Sequence, residues 1–168
     1  MDTIEVKTLF FSDDGNIPNH PSLPVLIYPG VLRDKAGQTE SIFNRNNWGN
    51  SWQNGVFDYH HYHSNAHEVL GVMKGSATLM LGGENGKQIE VREGDVLVLP
   101  AGTGHKRLDA SSTFKVAGAY PGGMDYTTKT GKSSERPHVL KEIQNVPLPD
   151  NDPVFGKDGP LMDHWNIR

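Results

Sequence analysis

The sequence contains no cysteine. That absence removes a disulfide frame, a thiol nucleophile and any thiolate metal site. No apolar run approaches the roughly 20 residues needed to span a bilayer. The opening Met1-Asp2-Thr3-Ile4-Glu5-Val6 has neither the basic nor the apolar stretch of a secretory leader, so the expectation is a soluble, cytoplasmic protein. Basic excess is missing too: 16 Lys and Arg face 20 Asp and Glu, giving a net charge of −4 and a pI near 6.0. Nothing supplies the basic stripe that a phosphate backbone requires, which argues against a nucleic-acid partner. Repeats, heptads and low-complexity tracts are absent. Gly131-Lys132-Ser133 is not the end of a phosphate-binding loop, because Tyr126 stands where that motif needs glycine. A nucleophile elbow is also missing, and spacing alone identifies no glycosidase-type acid pair.

What is abundant is the chain breaker. Thirty of the 168 residues are glycine or proline, against a usual share of about one in eight. This disfavours a helical bundle and favours many short strands joined by turns. The breakers are also sorted. Four prolines lie between Pro18 and Pro29 and five between Pro137 and Pro160, whereas Gly55 to Gly123 holds twelve glycines but only Pro100 and Pro121. Glycine-punctuated hairpins in the middle and extended proline-rich flanks follow from that split.

The middle reads as strands over Val56–His63, Glu68–Met73, Ser76–Leu81, Gln88–Val91, Asp95–Leu99 and Thr113–Tyr120, with an Asn-Gly hairpin signal at Asn85-Gly86. Asp95–Leu99 is apolar enough to be buried on both faces. Short strands at this spacing indicate an all-β sandwich or barrel. One short helix is expected around Thr39–Asn46.

Half of the eight histidines fall within eight residues: His60, His61, His63 and His67. On a strand, His61 and His63 project to one face and His60 and Tyr62 to the other. Two adjacent imidazoles on one face suit a metal site. Glu68 or His67 can bring a further ligand back across the turn, and strand parity does not choose between them; when Glu68 faces in, His67 faces outward. His105 follows the tight Pro100-Ala101-Gly102 reversal at the start of another strand. Imidazoles with a carboxylate suit Fe, Mn, Ni, Cu or Zn rather than Ca or Mg, and a six-coordinate ion would keep two positions open.

These residues resemble the two motifs of the cupins, the double-stranded β-helix jelly-roll superfamily. The first motif reads Gly55, five residues, His61-Tyr62-His63, four residues, Glu68, six residues, Gly75. The second reads Gly94, five residues, Pro100-Ala101-Gly102, two residues, His105. Asp109 departs from the asparagine often found at the last motif position, which is not a ligand position. The wider text around Asn50–Gly55, Tyr59–His63 and His67–Gly71, with Leu148-Pro149-Asp150 and Asp152–Gly156, is similar to the YjlB-type cupins.

The resemblance implies an all-β cupin jelly roll with metal ligands His61, His63, Glu68 and His105, and it chooses Glu68 over His67. It implies one domain over 1–168, with a motif core at 55–109, an N-terminal extension at 1–50 and an extended proline-rich tail at 137–168. The implied cofactor is one divalent transition metal, iron or manganese, with nickel or zinc able to displace it on purification. The implied function is a metalloenzyme acting on a small-molecule substrate, with dioxygenase or oxidase chemistry ahead of isomerase or decarboxylase chemistry. A non-catalytic ligand-binding or sensing cupin is the alternative. A homodimer is expected, with Val6–Phe11 or Leu23–Tyr28 adding to a neighbour's sheet.

Other residues have plainer readings. Tyr59 and Tyr120 are pocket candidates, and Phe57 reads as core. Trp48 and Trp52 read as packing for the N-terminal segment, and Lys106 and Arg107 as a solvated strand face. Asp13, Asp14, Asp150 and Asp152 read as solvated turn residues.

Overall fold

The computed structural model describes residues 4–167. Nine strands are present among the described residues: β1 (Lys7–Leu9), β2 (Val25–Tyr28), β3 (Trp48–Asn54), β4 (Glu68–Lys74), β5 (Ser76–Leu81), β6 (Lys87–Arg92), β7 (Val96–Leu99), β8 (His105–Ala110) and β9 (Lys115–Pro121). They form two antiparallel sheets, one ordered β1-β2-β7-β4-β9-β3 and the other β6-β5-β8. The all-β jelly-roll expectation holds.

Between the sheets lies an apolar layer to which Ile27, Leu70, Val72, Leu79, Leu81, Val91, Leu97 and Leu99 contribute. The larger sheet is also covered on its other face. Val69, Met73, Val96 and Val98 point there, against Phe43 of α1 (Thr39–Arg45) and Leu161 and Met162 of α3 (Pro160–His164). Two-sided cover explains why β2 and β7 are buried at every position and β4 at all but its last. Such strands show runs of apolar residues rather than alternation. The outer β6 and β8 instead keep exposed positions. Gly71 permits the close approach of α1 to β4: a Cβ there would lie 2.3 Å from Thr39 Cγ2 and 2.8 Å from the Phe43 ring.

Several expectations need correction. Val56–His63 is not a strand. Sheet pairing falls one segment earlier, in β3, and the later stretch makes only isolated bridges, His61 to His105 and Tyr62 to Lys129. The Asn54 side chain accepts from the Gly55 amide at the end of β3 (2.8 Å), and residues 55–60 then run outside the sheets. The C-terminal tail is not merely extended. It carries α2 (His138–Gln144) and α3, with Pro137 capping the first and Pro160 opening the second, so these prolines start helices rather than exclude them. Leu23–Tyr28 is not free to join a neighbour, since β2 is paired on both sides by β1 and β7 of its own chain. Asp152 is buried rather than solvated: its carboxylate accepts from Tyr28 Oη (2.5 Å) and from the amides of Val154, Phe155 and Leu161. Asp13 forms a bidentate pair with Arg136 (both bonds 2.7 Å).

Candidate metal centre

The site forms where the β4 entry, the β7–β8 turn and the segment before β4 meet. Glu68 opens β4 opposite Leu99 and His105 opens β8 opposite Leu81, while the His61–His105 bridge brings the histidine segment against β8. The intervening turn is held from three sides. The Gly102 amide donates to the His63 carbonyl (2.8 Å), the Ala101 amide to His67 Nδ1 (2.9 Å) and the Gly104 amide to Asn19 Oδ1 (3.0 Å). Gly102 turns at φ +88°, where a Cβ would lie 2.9 Å from the Asn19 carbonyl oxygen. A side chain at this position would disturb the presentation of His105.

His61, His63, Glu68 and His105 are all buried. His63, Glu68 and His105 bring one potential ligand atom each to within 4.8 Å of one another and could hold a metal ion. Glu68 Oε2 lies 3.4 Å from His63 Nε2, and Oε1 lies 3.2 Å from His105 Nε2. His61 stands beside this group rather than within it, its ring centroid 4.0 Å from that of His105 and 6.1 Å from that of His63.

The three imidazoles share one arrangement. Nδ1 of His61 donates to the Tyr59 carbonyl (3.0 Å), that of His63 to the Thr127 carbonyl (2.9 Å) and that of His105 to the Thr103 carbonyl (3.0 Å). A carbonyl can only accept, so each neutral ring carries its proton on Nδ1 and keeps a lone pair on Nε2. This is how metal-binding histidines are oriented and made more basic. Glu68 Oε1 is buried without a hydrogen-bond partner; its 3.2 Å approach to His105 Nε2 lacks a hydrogen bond's alignment. The Nε2 lone pairs of His63 and His105 and an orphaned Glu68 carboxylate oxygen could hold a transition-metal ion.

In the metal-free site the carboxylate and the imidazoles bias one another's charge. Burial pushes the Glu68 carboxyl upward, but the imidazoles of His63 and His105 outweigh it and hold the group below the ordinary carboxylate range. Burial, reinforced by His105, pulls His61 down to about 3. For His63, burial pulls down and Glu68 more than offsets it, so the net direction is upward. Behind Glu68, Tyr120 Oη donates to Oε2 (2.6 Å) and accepts from Trp52 Nε1 (2.9 Å). Burial and the neighbouring carboxylate raise the Tyr120 hydroxyl, which keeps it a donor.

A cavity of about 300 Å³ opens onto the four residues. Tyr120 lines it. Tyr59 does not: it is 44% exposed, stacked on Phe57 at 5.0 Å. Phe57 is 52% exposed and lines the cavity instead of joining the core. Trp48 is fully buried packing, as expected, whereas Trp52 lines the cavity and supports Tyr120. His67 is turned away from the cluster yet fully buried, 4.9 Å from the Trp165 ring. It faces a protein layer rather than water. Tyr126 lines the cavity and Thr127 orients His63. Neither carried a sequence signal, because a backbone carbonyl contact and a loop tyrosine leave no spacing pattern.

Comparison with known proteins places these features in context. Residues 52–112 match the Cupin domain family model. The chain is 50% identical over 161 residues to the uncharacterized protein YjlB of Bacillus subtilis (strain 168), across 96% of this chain and 97% of that one. Among solved structures it is similar to the WlaRB TDP-quinovose 3,4-ketoisomerase from Campylobacter jejuni. That match has 20% identity, covers 54% of this chain and 73% of the other, and has a TM-score of 0.41. Acireductone dioxygenase from Bacillus anthracis, solved with a cadmium ion in its active centre, matches at 15% identity over 60% and 63%, with a TM-score of 0.36. At those scores neither likeness bears on what this chain does.

Proposed function

The chain belongs to the cupin family, and from that premise we propose that it binds one divalent transition-metal ion, iron or manganese, through His61, His63, Glu68 and His105 and acts on a small organic molecule. The observation that carries this reading is that all three histidines around one buried carboxylate direct Nδ1 at a backbone carbonyl, which leaves Nε2 as the ligand atom. His61, its ring centroid 4.0 Å from that of His105, is the fourth ligand in this reading. When bound, such an ion supplies Lewis acidity and, if redox-active, a route for electrons between an organic substrate and O₂.

The chain's own contribution is placement and charge. Glu68 offsets one unit of cationic charge in a dry site, and Tyr120 and Trp52 fix the plane of its carboxylate. Trp52, Phe57, Tyr120 and Tyr126 give the cavity an aromatic wall. Dioxygenase or oxidase chemistry is preferred to isomerisation or decarboxylation, because the described residues lining the cavity include no lysine, aspartate or second glutamate to serve as a further acid.

Anaerobic purification followed by metal quantification tests the site. One equivalent of a divalent metal is expected in the wild type, with at least tenfold less in His63→Ala and Glu68→Ala. No retained metal, or retention unchanged in both variants, would overturn the ligand set. Oxygen-electrode assays with small diols, diketones, thiols and aromatic diols test the chemistry. A stoichiometrically loaded protein that consumes no O₂ with any of them would overturn the oxidative reading.

A further inference from the structure

The carbonyls that orient the three site histidines are not equally secure. Those facing His61 and His105 belong to Tyr59 and Thr103, two residues earlier in the same stretch of chain. The partner of His63 is the Thr127 carbonyl, 64 residues away along the sequence. His63 is buried, yet Tyr126, Thr127 and Thr128 are exposed and run outside the sheets and helices. A buried ligand thus takes its direction from a surface segment, and whatever steadies that segment steadies the ligand.

A few specific contacts do so. Asn50 Nδ2 donates to the Met124 carbonyl (3.2 Å), the Tyr126 ring stacks on Tyr120 with centroids 4.1 Å apart, and Lys129 exchanges two backbone bonds with Tyr62 (2.9 Å each). At Thr127 itself the grip comes from Asn65. Its Oδ1 accepts from the Thr127 amide (2.9 Å), while the Thr127 hydroxyl lies 3.3 Å from both Asn65 Oδ1 and Ser64 Oγ. One hydroxyl hydrogen cannot serve both of those oxygens well, so the amide bond is the main tie. Asn65 stands two residues after His63 in the chain. The pairing is therefore reciprocal: His63 Nδ1 donates to the Thr127 carbonyl, and the Thr127 amide donates back to Asn65. With Asn65 on one side and Lys129 on the other, the carbonyl between them has little room to turn.

Resting on the metal-dependent reading above, we propose that Asn65 is a positioning residue for the metal centre, holding Thr127 so that its carbonyl keeps His63 Nε2 aimed at the space shared with Glu68 and His105. Losing the Asn65 side chain leaves the Thr127 amide to water and removes the middle anchor of the segment. His61 and His105 keep their own local carbonyls, so the effect falls on one ligand of the set rather than on the whole site.

The test uses the full chain. Zn²⁺ affinity is read by competition with a chromophoric chelator, and the geometry around the metal by the visible d–d spectrum of the Co²⁺-loaded protein. Both are measured at high ionic strength, which screens any charge a substitution adds at this partly exposed position. Asn65→Ala is expected to weaken Zn²⁺ by about tenfold and to alter the Co²⁺ spectrum. Asn65→Asp keeps an accepting oxygen at the same reach, so it should restore affinity to within about threefold and return the wild-type spectrum. Asp13→Ala breaks the pair with Arg136 without touching the site. It controls for a general loss of stability and should leave both readings as in wild type. Wild type that holds Zn²⁺ while Asn65→Ala binds it equally well would overturn the positioning role alone. So would Asn65→Asp binding no better than Asn65→Ala, or Asp13→Ala binding as weakly. Wild type that holds no Zn²⁺ would overturn the metal reading and this inference with it.

Discussion

Replacing Tyr120 with phenylalanine removes one oxygen atom that serves two partners. Its hydroxyl donates to the buried Glu68 carboxylate at 2.6 Å and accepts from the Trp52 indole at 2.9 Å. A hydrogen bond to a charged group contributes about 1.5–3 kcal/mol, and the stranded indole donor adds about 1 kcal/mol. The ring itself stays fully buried, so little packing is lost. The sum is about 3 kcal/mol in the metal-free protein. For a chain of this length, each kcal/mol shifts the melting temperature by about 2–4 °C, which predicts a fall of about 6–12 °C. Circular-dichroism melts of chelator-treated wild type and Tyr120→Phe measure this directly. Metal affinity, read by competition with a chromophoric chelator, should weaken about tenfold or more, as it does when the group orienting a ligand is lost. A metal-free variant melting within 1 °C of wild type would refute the claim that this bond fixes Glu68.

Two further predictions lie away from the cavity. In Asp152→Asn the amide NH₂ must replace an oxygen that now accepts from a neighbour. Tyr28 Oη and the Leu161 amide approach Oδ2, while the Val154 and Phe155 amides approach Oδ1. At least one donor is left facing another, which costs about 2–3 kcal/mol. Hydrogen exchange should rise first across residues 153–165, and unchanged exchange there would rule the hub out. His20 supplies the pH test. Its Nδ1 accepts from the amides of Ser22 (3.1 Å) and Leu23 (2.9 Å), and burial pulls its pKa from 6.5 to about 4. The unfolded chain therefore takes up the proton first, and stability falls as pH drops from 6.5 towards 4. With partial solvent screening the loss is about 1–2 kcal/mol. An asparagine oxygen can accept the same two bonds without titrating, so urea denaturation of His20→Asn should show a shallower decline than wild type. Parallel declines would count against the mechanism.

How far the sequence speaks depends on which face of the large sheet is concerned. On the inner face the information is local. Gly102 and the short Pro100–His105 turn, together with the two-residue step from His61 to His63, require no knowledge of distant chain, and His63, Glu68 and His105 gather there with His61 beside them. β5 runs over Ser76–Leu81 as read, and β4 and β7 differ from expectation by a residue at one end. β3 was illegible for a physical reason. Its run Trp48-Gly49-Asn50-Ser51-Trp52-Gln53-Asn54 looks like turn material, and its pairing with β9 is broken by an irregularity between Gly49 and Trp52, with Asn50 at φ +52°. Phe57 and Tyr59, two residues apart, imitated a strand because their apolar character serves the cavity and its rim, while Val56 beside them packs into the core. The outer face is different again. With Glu68 placed inward by the family resemblance, strand parity turns His67 away from the metal, but "away" means solvent only if nothing covers that side. Here the C-terminal segment does: α3 and Trp165 pack on it, Trp165 Nε1 donates to the Pro24 carbonyl (3.0 Å), and Asp152 ties Tyr28 to the start of α3. The burial of His67 comes from a cover supplied about a hundred residues further along the chain, and Asp152 is buried because it belongs to that cover and is tied back to Tyr28. Period-two patterning registers burial without revealing which part of the chain provides it.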